Sequence, residues 1–199
     1  MYKVGITGGI GSGKTKVCEL LTELGVAVYD SDSRAKELMM GDKELKEQLI
    51  EKFGSECYVD GVLNRRWLAS RVFSSKEQLA SLNAIVHPAV MRDFARWAEQ
   101  QEGDYVVLES AILYEAGLEG YVDATVAVMA PEELRLERAM QRDGATREEI
   151  VSRMRNQVDD NIRIERSTYA VVNISLEELS EEVIELHRRL SYDSKPHNC

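Results

Sequence analysis

The chain has 199 residues and 22.5 kDa, enough for one compact domain with an inserted subdomain and too little for two enzymes in tandem. Hydrophobic residues at 44% and charged residues at 30% support a buried core beneath a polar surface and exclude global disorder. With 25 Lys and Arg against 35 Asp and Glu, the formal charge of −10 opposes nucleic acid and anionic membranes as partners, so a polyanionic ligand must be held by local basic groups.

In chain order, residues 2–7 read as a strand, 8–13 as a glycine-rich loop, and 14–24 as a helix with Val17, Leu20, Leu21 and Leu24 at helical spacing. Gly25 suits a helix C-cap, and 26–29 read as a second strand that leads into Asp30-Ser31-Asp32. Beyond this point the strand signal fades and helix signals take over. Leu45, Leu49 and Phe53 repeat every fourth residue, Ser75 with Gln78 forms a capping box, and Pro88 suits the first position of a helix bearing Val90, Phe94 and Trp97. An inserted helical subdomain is predicted here. Buried strands return at 105–108, 124–129 and 169–172. Between the last two, Pro131 starts one helix, and Thr146 with Glu149 caps another that carries Ile150, Met154 and Val158. Ser175 with Glu178 opens a final helix striped by Leu179, Val183, Leu186 and Leu190, and the tail 191–199 has no apolar face to bury and is expected to be mobile. Strands alternating with helices predict an α/β fold with a parallel sheet covered on both faces. No apolar run approaches the roughly 20 residues of a membrane span, and the N-terminus lacks the organisation of a secretion signal. Cys18, Cys57 and Cys199 form no C-x-x-C pair, and His87, His187 and His197 have no metal-ligand spacing; reduced thiols in the cytoplasm and no structural zinc are expected.

Gly8-Gly9-Ile10-Gly11-Ser12-Gly13-Lys14-Thr15 fits G-x-x-x-x-G-K-[ST] and lies between a predicted strand and a predicted helix, the context this phosphate-binding loop requires. Small residues let successive N–H groups turn onto a phosphate, Lys14 reaches the β- and γ-phosphates, and the Thr15 hydroxyl is placed to hold Mg²⁺. A glycine-rich turn that binds nothing would leave Lys-Thr at this spacing without a reason. No Asp stands three residues before any Gly, so the D-x-x-G element of a GTPase is missing. Asn156-Gln157-Val158-Asp159 echoes a guanine-reading N-K-x-D, but it falls inside an amphipathic helical pattern and reads as a solvated helix face.

Asp30 and Asp32 end the second strand, on the carboxyl edge that a phosphate loop shares in a parallel sheet. A carboxylate there either accepts the proton of an attacking hydroxyl or serves as a turn or helix N-cap, and the residue types leave both readings open. Glu109, just after the third strand, either supports Mg²⁺ or is a surface acid. Six arginines, Arg135, Arg138, Arg142, Arg147, Arg153 and Arg155, crowd one helical region. They suit a solvated face laced by i, i+4 pairs or a lid that brings guanidinium to a migrating phosphoryl group; Arg142-Asp143-Gly144, where a helix turns, is its most lid-like point.

Five blocks together resemble the dephospho-CoA kinase family of P-loop small-molecule kinases, related in kind to nucleoside monophosphate kinases. They are residues 6–14; Asp30-Ser31-Asp32 with Arg34; Asp60-Gly61 with Arg65-Arg66 and Val72-Phe73; residues 82–88, ending in His87-Pro88; and Gln141-Arg142-Asp143. The resemblance implies a three-layer α/β/α P-loop kinase fold with a five-stranded parallel sheet. It also implies a nucleotide core at about 1–38, 104–130 and 164–190, a helical CoA-binding insertion at about 39–102 and a lid at about 131–163. The implied reaction is transfer of the γ-phosphoryl group of ATP, with Mg²⁺, to the ribose 3′-hydroxyl of dephospho-CoA. By motif position, Asp32 matches the base, Asp30 its companion and Arg142 the lid arginine; Arg66, His87 and Pro88 match the CoA-domain motifs. Gly9, Gly11, Ser12, Gly13, Lys14, Thr15, Lys16 and Arg142 then form the ATP-binding set, with Thr15 and Glu109 on the metal.

The chain departs from the family pattern at three places. Lys14-Thr15-Lys16 stands where Lys-Ser-Thr is commoner, residues 110–115 lack a usual proline, and Ser167-Thr168 replaces Ala-Asp. ATP and dephospho-CoA are the expected partners, with no nucleic acid and no membrane, for a cytoplasmic monomer or weak homo-oligomer. The rival readings are another nucleoside monophosphate or small-molecule kinase on the same core, and a nucleotide-binding regulatory module that transfers no phosphate.

Overall fold

A computed structural model describes residues 1–72 and 75–195, so Phe73, Pro196, His197 and Cys199 lie outside the described residues. The first half of the chain runs β1 (Tyr2–Thr7), α1 (Lys14–Glu23), β2 (Ala27–Asp30), α2 (Ser31–Gly41), α3 (Lys43–Phe53), β3 (Tyr58–Val59), β4 (Val62–Leu63), α4 (Arg65–Val72) and α5 (Lys76–Ala98). It continues through β5 (Tyr105–Glu109), β6 (Ala124–Met129), α6 (Glu132–Asp143), α7 (Arg147–Met154), α8 (Asp160–Arg166), β7 (Tyr169–Val172) and α9 (Leu176–Asp193). The chain divides into two compact units, one of Met1–Tyr29 with Ala98–Cys199 and one of Asp30–Trp97.

The first unit is organised by a five-stranded parallel sheet of order β2-β5-β1-β6-β7, with helices on both sides. Strands covered on both faces must be apolar nearly throughout, and Val4, Ile6, Val106, Val107, Leu108, Val126 and Val128 are all fully buried. Central β1 pairs in register with β5 (Ile6 opposite Glu109) and with β6 (Ile6 opposite Val126). The consecutive strands β5 and β6 therefore fall on opposite sides of β1, and the loop at 8–13 leaves its carboxyl end, the place where open parallel sheets take ligands. Val17 and Leu21 of α1 and the Leu179, Val183, Leu186 and Leu190 stripe of α9 share one core with Val4, Ile6, Val126 and Val128. Each such side chain contributes about 1.5–3 kcal/mol by leaving water. Helix α9 extends past the expected end of ordered chain at Leu190, because the Tyr169 hydroxyl donates to the Asp193 carboxylate and ties the last turn to β7.

The second unit is helical, as its sequence predicts, with one exception. Residues 58–63 form a two-stranded antiparallel hairpin, Tyr58 opposite Leu63 and Val59 opposite Val62. Asp60 and Gly61 turn it with φ of 51° and 82°, the two left-handed positions that a tight hairpin matches to strand twist. Strands of two residues are too short to leave an alternating pattern in the sequence. Pro88 also differs from expectation: it lies inside α5, which runs unbroken from Lys76 to Ala98. Val86, Val90 and Phe94, four residues apart across the proline, are all buried, so one continuous apolar face carries the helix through the missing N–H. The Arg34 guanidinium donates through Nε and Nη2 to Asp93 Oδ2 at 3.1 and 2.7 Å, and this fork ties α2 to α5.

Candidate functional site

Residues 8–13 bend from β1 into α1 because glycine stands where a side chain has no room. Gly11 and Gly13 have φ of 75° and 90°; a Cβ on Gly11 would strike the Arg135 carbonyl, and one on Gly13 would strike the Asn173 amide nitrogen. The turn is closed by Ser12 N–H donating to the Gly9 carbonyl at 3.1 Å, and α1 begins with Lys16 and Val17 N–H donating to the Gly13 carbonyl. No side chain caps α1, because its N-cap is Gly13, so the positive end of the helix is left to an anionic ligand. Lys14 Nζ donates to the Gly8 carbonyl at 3.0 Å, which lays the ammonium along the loop. The Thr15 hydroxyl lies 3.4 Å from Glu109 Oε1, at the end of the neighbouring strand. A hydroxyl and a carboxylate at this separation form a hard-oxygen pair that suits Mg²⁺, which takes one or two protein oxygens and fills its shell with phosphate and water. Among the described residues no three His, Cys, Asp or Glu side chains converge in the manner of a structural metal site. Lys16 pairs with Glu19 at 3.0 Å.

Two arginines of the cluster, Arg135 and Arg138, support the loop from behind together with Asp160, Arg163 and Asn173, which the sequence did not single out. Arg135 of α6 and Arg163 of α8 are only 6% and 1% exposed, and both donate to the Asp160 carboxylate. Arg163 also donates to the Val158 carbonyl at 3.0 Å. A half-buried carboxylate shared by two buried guanidiniums keeps their charges paired, and removing it would leave guanidinium charge uncompensated away from water, which is strongly destabilising. Arg138, one helical turn from Arg142, donates to the carbonyls of Asn173 and Ile174, both at 3.1 Å. The Asn173 side chain donates in turn to the Ser12 carbonyl at 2.9 Å. Gly13, Lys16, Arg138, Asn173, Leu176 and Leu179 line a largely apolar cavity of about 270 Å³ beside the loop. The arginine cluster was legible as a cluster; which members turn inward depends on the pitch of α6 and on the site of α8, and six similar residues in sequence do not reveal it.

The other arginines of that cluster are exposed. Arg142 and Arg153 both donate to Asp143, holding its carboxyl well below the usual carboxylate range, and Arg147 pairs with Glu133. The expectation for 156–159 is corrected. Helix α7 ends at Met154, and this segment is a connection, not a solvated helix face. Within it Gln157 Oε1 accepts the Ile10 N–H at 2.8 Å, Val158 N–H donates to Glu115 at 2.8 Å, and Asp159 caps α8. Two of the departures from the family pattern have structural uses. Residues 111–117 form turns with Leu113 buried, and Thr168 exchanges hydrogen bonds with Thr125 while Ser167 meets the Tyr114 hydroxyl.

The second unit holds the remaining candidates. Asp30 is the N-cap of α2: its carboxylate accepts from Asp32 N–H at 3.0 Å, from Ser33 N–H at 3.1 Å and from the Ser33 hydroxyl. Asp32 lies in the first turn of α2 and is exposed. Arg66 is exposed on α4. His87 is partly buried in α5, where burial pushes its imidazole below the ordinary value, and the next residue, Pro88, is exposed.

The chain is similar to known proteins along most of its length. The family model for dephospho-CoA kinase matches residues 2–178. A dephospho-CoA kinase of Bacteroides fragilis is 40% identical over 185 residues, 92% of this chain and 90% of that protein. One from Porphyromonas gingivalis is 45% identical over 157 residues, 79% of this chain and 78% of that protein. A crystal structure of a Thermus thermophilus protein superposes with a TM-score of 0.84 at 37% identity, covering 94% of this chain and 96% of that one. The loop after β1, its flanking strand and helix, and likeness along nearly the whole length lead to one assignment: the chain belongs to the dephospho-CoA kinase family.

Proposed function

We propose that the chain transfers the γ-phosphoryl group of ATP to the ribose 3′-hydroxyl of dephospho-CoA, giving coenzyme A and ADP, the last step of coenzyme A synthesis. The observation that carries phosphoryl transfer is the grouping of Lys14, the uncapped start of α1 and the Thr15–Glu109 oxygen pair at one strand end. Membership of the family supports the acceptor.

In this reading Gly9, Gly11, Ser12, Gly13, Lys14, Thr15 and Lys16 cradle the triphosphate. Thr15 and Glu109 hold Mg²⁺, which when bound neutralises charge on the phosphates. The adenine occupies the cavity lined by Gly13, Arg138 and Leu176, whose apolar walls suit a base. Asp32 accepts the proton of the 3′-hydroxyl as its oxygen bonds to the γ-phosphorus and the β–γ bridging oxygen departs with ADP. Asp30 orients this turn as the cap of α2. Arg142, exchanging Asp143 for phosphate oxygens, stabilises the charge that develops there. Arg66, His87 and Pro88 serve the coenzyme A moiety.

The test is ADP release by the purified protein with dephospho-CoA, AMP or UMP as acceptor. Dependence on dephospho-CoA alone is expected, and Lys14→Ala abolishes it; equal rates with AMP would assign the chain another acceptor. Asp32→Asn lowers kcat by about 10²–10⁴ with ATP binding kept, and a loss under about tenfold removes Asp32 from the role of base.

A further inference from the structure

Phosphoryl transfer as described leaves one contact of the loop without a purpose. Ile10 stands at the crest of the phosphate loop, between Gly9 and Gly11. Its side chain packs on Leu136, Ala139 and Ile150, the small core that joins α6 to α7. Its N–H donates to Gln157 Oε1 at 2.8 Å, from the connection between α7 and α8. That connection is itself pinned on both sides of Val158, whose N–H donates to Glu115 and whose carbonyl accepts from buried Arg163. Gly9 and Gly11 have no side chains with which to fix the backbone, so beside the Ser12–Gly9 turn bond the conformation between them is held by what grips Ile10.

We propose that Gln157 is a positioning residue for phosphoryl transfer. It holds the Ile10 N–H while the Ile10 side chain is seated in the α6–α7 core, and so presets the crest of the loop before the triphosphate arrives. A loop held in its binding conformation meets the phosphates without first reorganising, and the ordering cost is borne in folding instead of in binding. The acceptor is a neutral amide for a physical reason: a carboxylate at this point would place negative charge beside a polyanion. The inference rests on the reading of residues 8–15 as the phosphate loop for ATP.

The test uses the full chain with Gln157→Met, which is nearly isosteric but accepts no comparable hydrogen bond, and Gln157→Glu, which keeps the acceptor and adds charge. Three quantities are read: amide hydrogen exchange at Ile10, equilibrium affinity for ATP and for ADP, and the kcat and KM for both substrates. In Gln157→Met, Ile10 exchange accelerates at least about tenfold while amides of β6 keep their protection, and the Kd for ATP rises about three- to tenfold, the worth of one net hydrogen bond, with the KM for dephospho-CoA unchanged. In Gln157→Glu the Ile10 amide stays protected, yet ATP weakens more than ADP, and added salt reduces the difference. Unchanged Ile10 exchange in Gln157→Met, or unchanged ATP affinity and kcat, overturns the proposal. A fall in protection spread over the whole sheet with ATP affinity kept also overturns it, since Gln157 would then be a packing residue only. Failure of the underlying reading looks different: Lys14→Ala would bind ATP as the parent protein does.

Discussion

Asp30 and Asp32 are two residues apart and of one chemical type, yet the fold gives them different surroundings. Asp30 is committed to the start of α2, where its carboxylate accepts two backbone N–H groups and the Ser33 hydroxyl. Asp30→Ala should therefore cost about 1 kcal/mol in urea unfolding, and Asp30→Asn, which still caps, only a few tenths. Equal losses in both variants would show that charge, not capping, is what α2 needs. Asp32 is exposed in the same turn. Sequence alone left cap and base open for both residues, because Asp is favoured in either place; the hydrogen-bond partners assign the cap to Asp30. His87 offers a test at the same scale. Burial lowers its pKa in the folded state, so above the unfolded value near 6.5 the ring is neutral in both states and makes no contribution. As pH falls through 6.5 the unfolded chain takes up the proton first, so stability declines until the folded ring is protonated as well. Unfolding free energies measured from pH 7.5 to 5 should show this fall, and His87→Asn should remove it; a wild-type slope in the variant would assign the loss to other groups.

At the scale of elements, the strands and helices that bury an uninterrupted stripe were legible, and the irregular ones were not. β1, β6 and β7 lie where their apolar runs place them, and the stripe of α9 is buried at all four positions. Pro88 misled because its local rule, a favoured first helical position, was outweighed by the face shared by Val86, Val90 and Phe94. Pro88→Ala restores one backbone hydrogen bond in α5 and should raise stability by about 1–3 kcal/mol in thermal unfolding. A lower Tm would mean that the rigidity the ring imposes on the unfolded chain outweighs the missing bond. Residues 156–159 misled for the opposite reason: their apolar spacing continued that of α7, but Asp159 ends the pattern by capping α8, and Gln157 is turned to the phosphate loop.

Over the whole molecule, a net charge of −10 coexists with a site for polyanions because the charge is unevenly spread. Residues 1–18 carry Lys3, Lys14 and Lys16 and no acid, and 135–155 hold six Arg against four acids. If phosphate is held there, ATP binds the folded chain alone and stabilises it. At one hundred times its Kd it adds about 2.7 kcal/mol, or about 5–11 °C in Tm for a chain of this size. Differential scanning fluorimetry should show that rise in the parent protein and none in Lys14→Ala; an equal rise in both would place the ATP elsewhere. The sequence by itself determined the α/β class, the phosphate loop and the family, since each depends on residues close together in the chain: a periodicity, a spacing of glycines with Lys-Thr, a set of short blocks. Only the tertiary structure decided that Arg135 and Arg163 turn inward on Asp160, that Arg138 and Asn173 brace the loop, and that Gln157 holds Ile10. Those partners are separated by up to 161 residues, and nothing local in the chain distinguishes an arginine that faces water from one that the packing of three helices closes over.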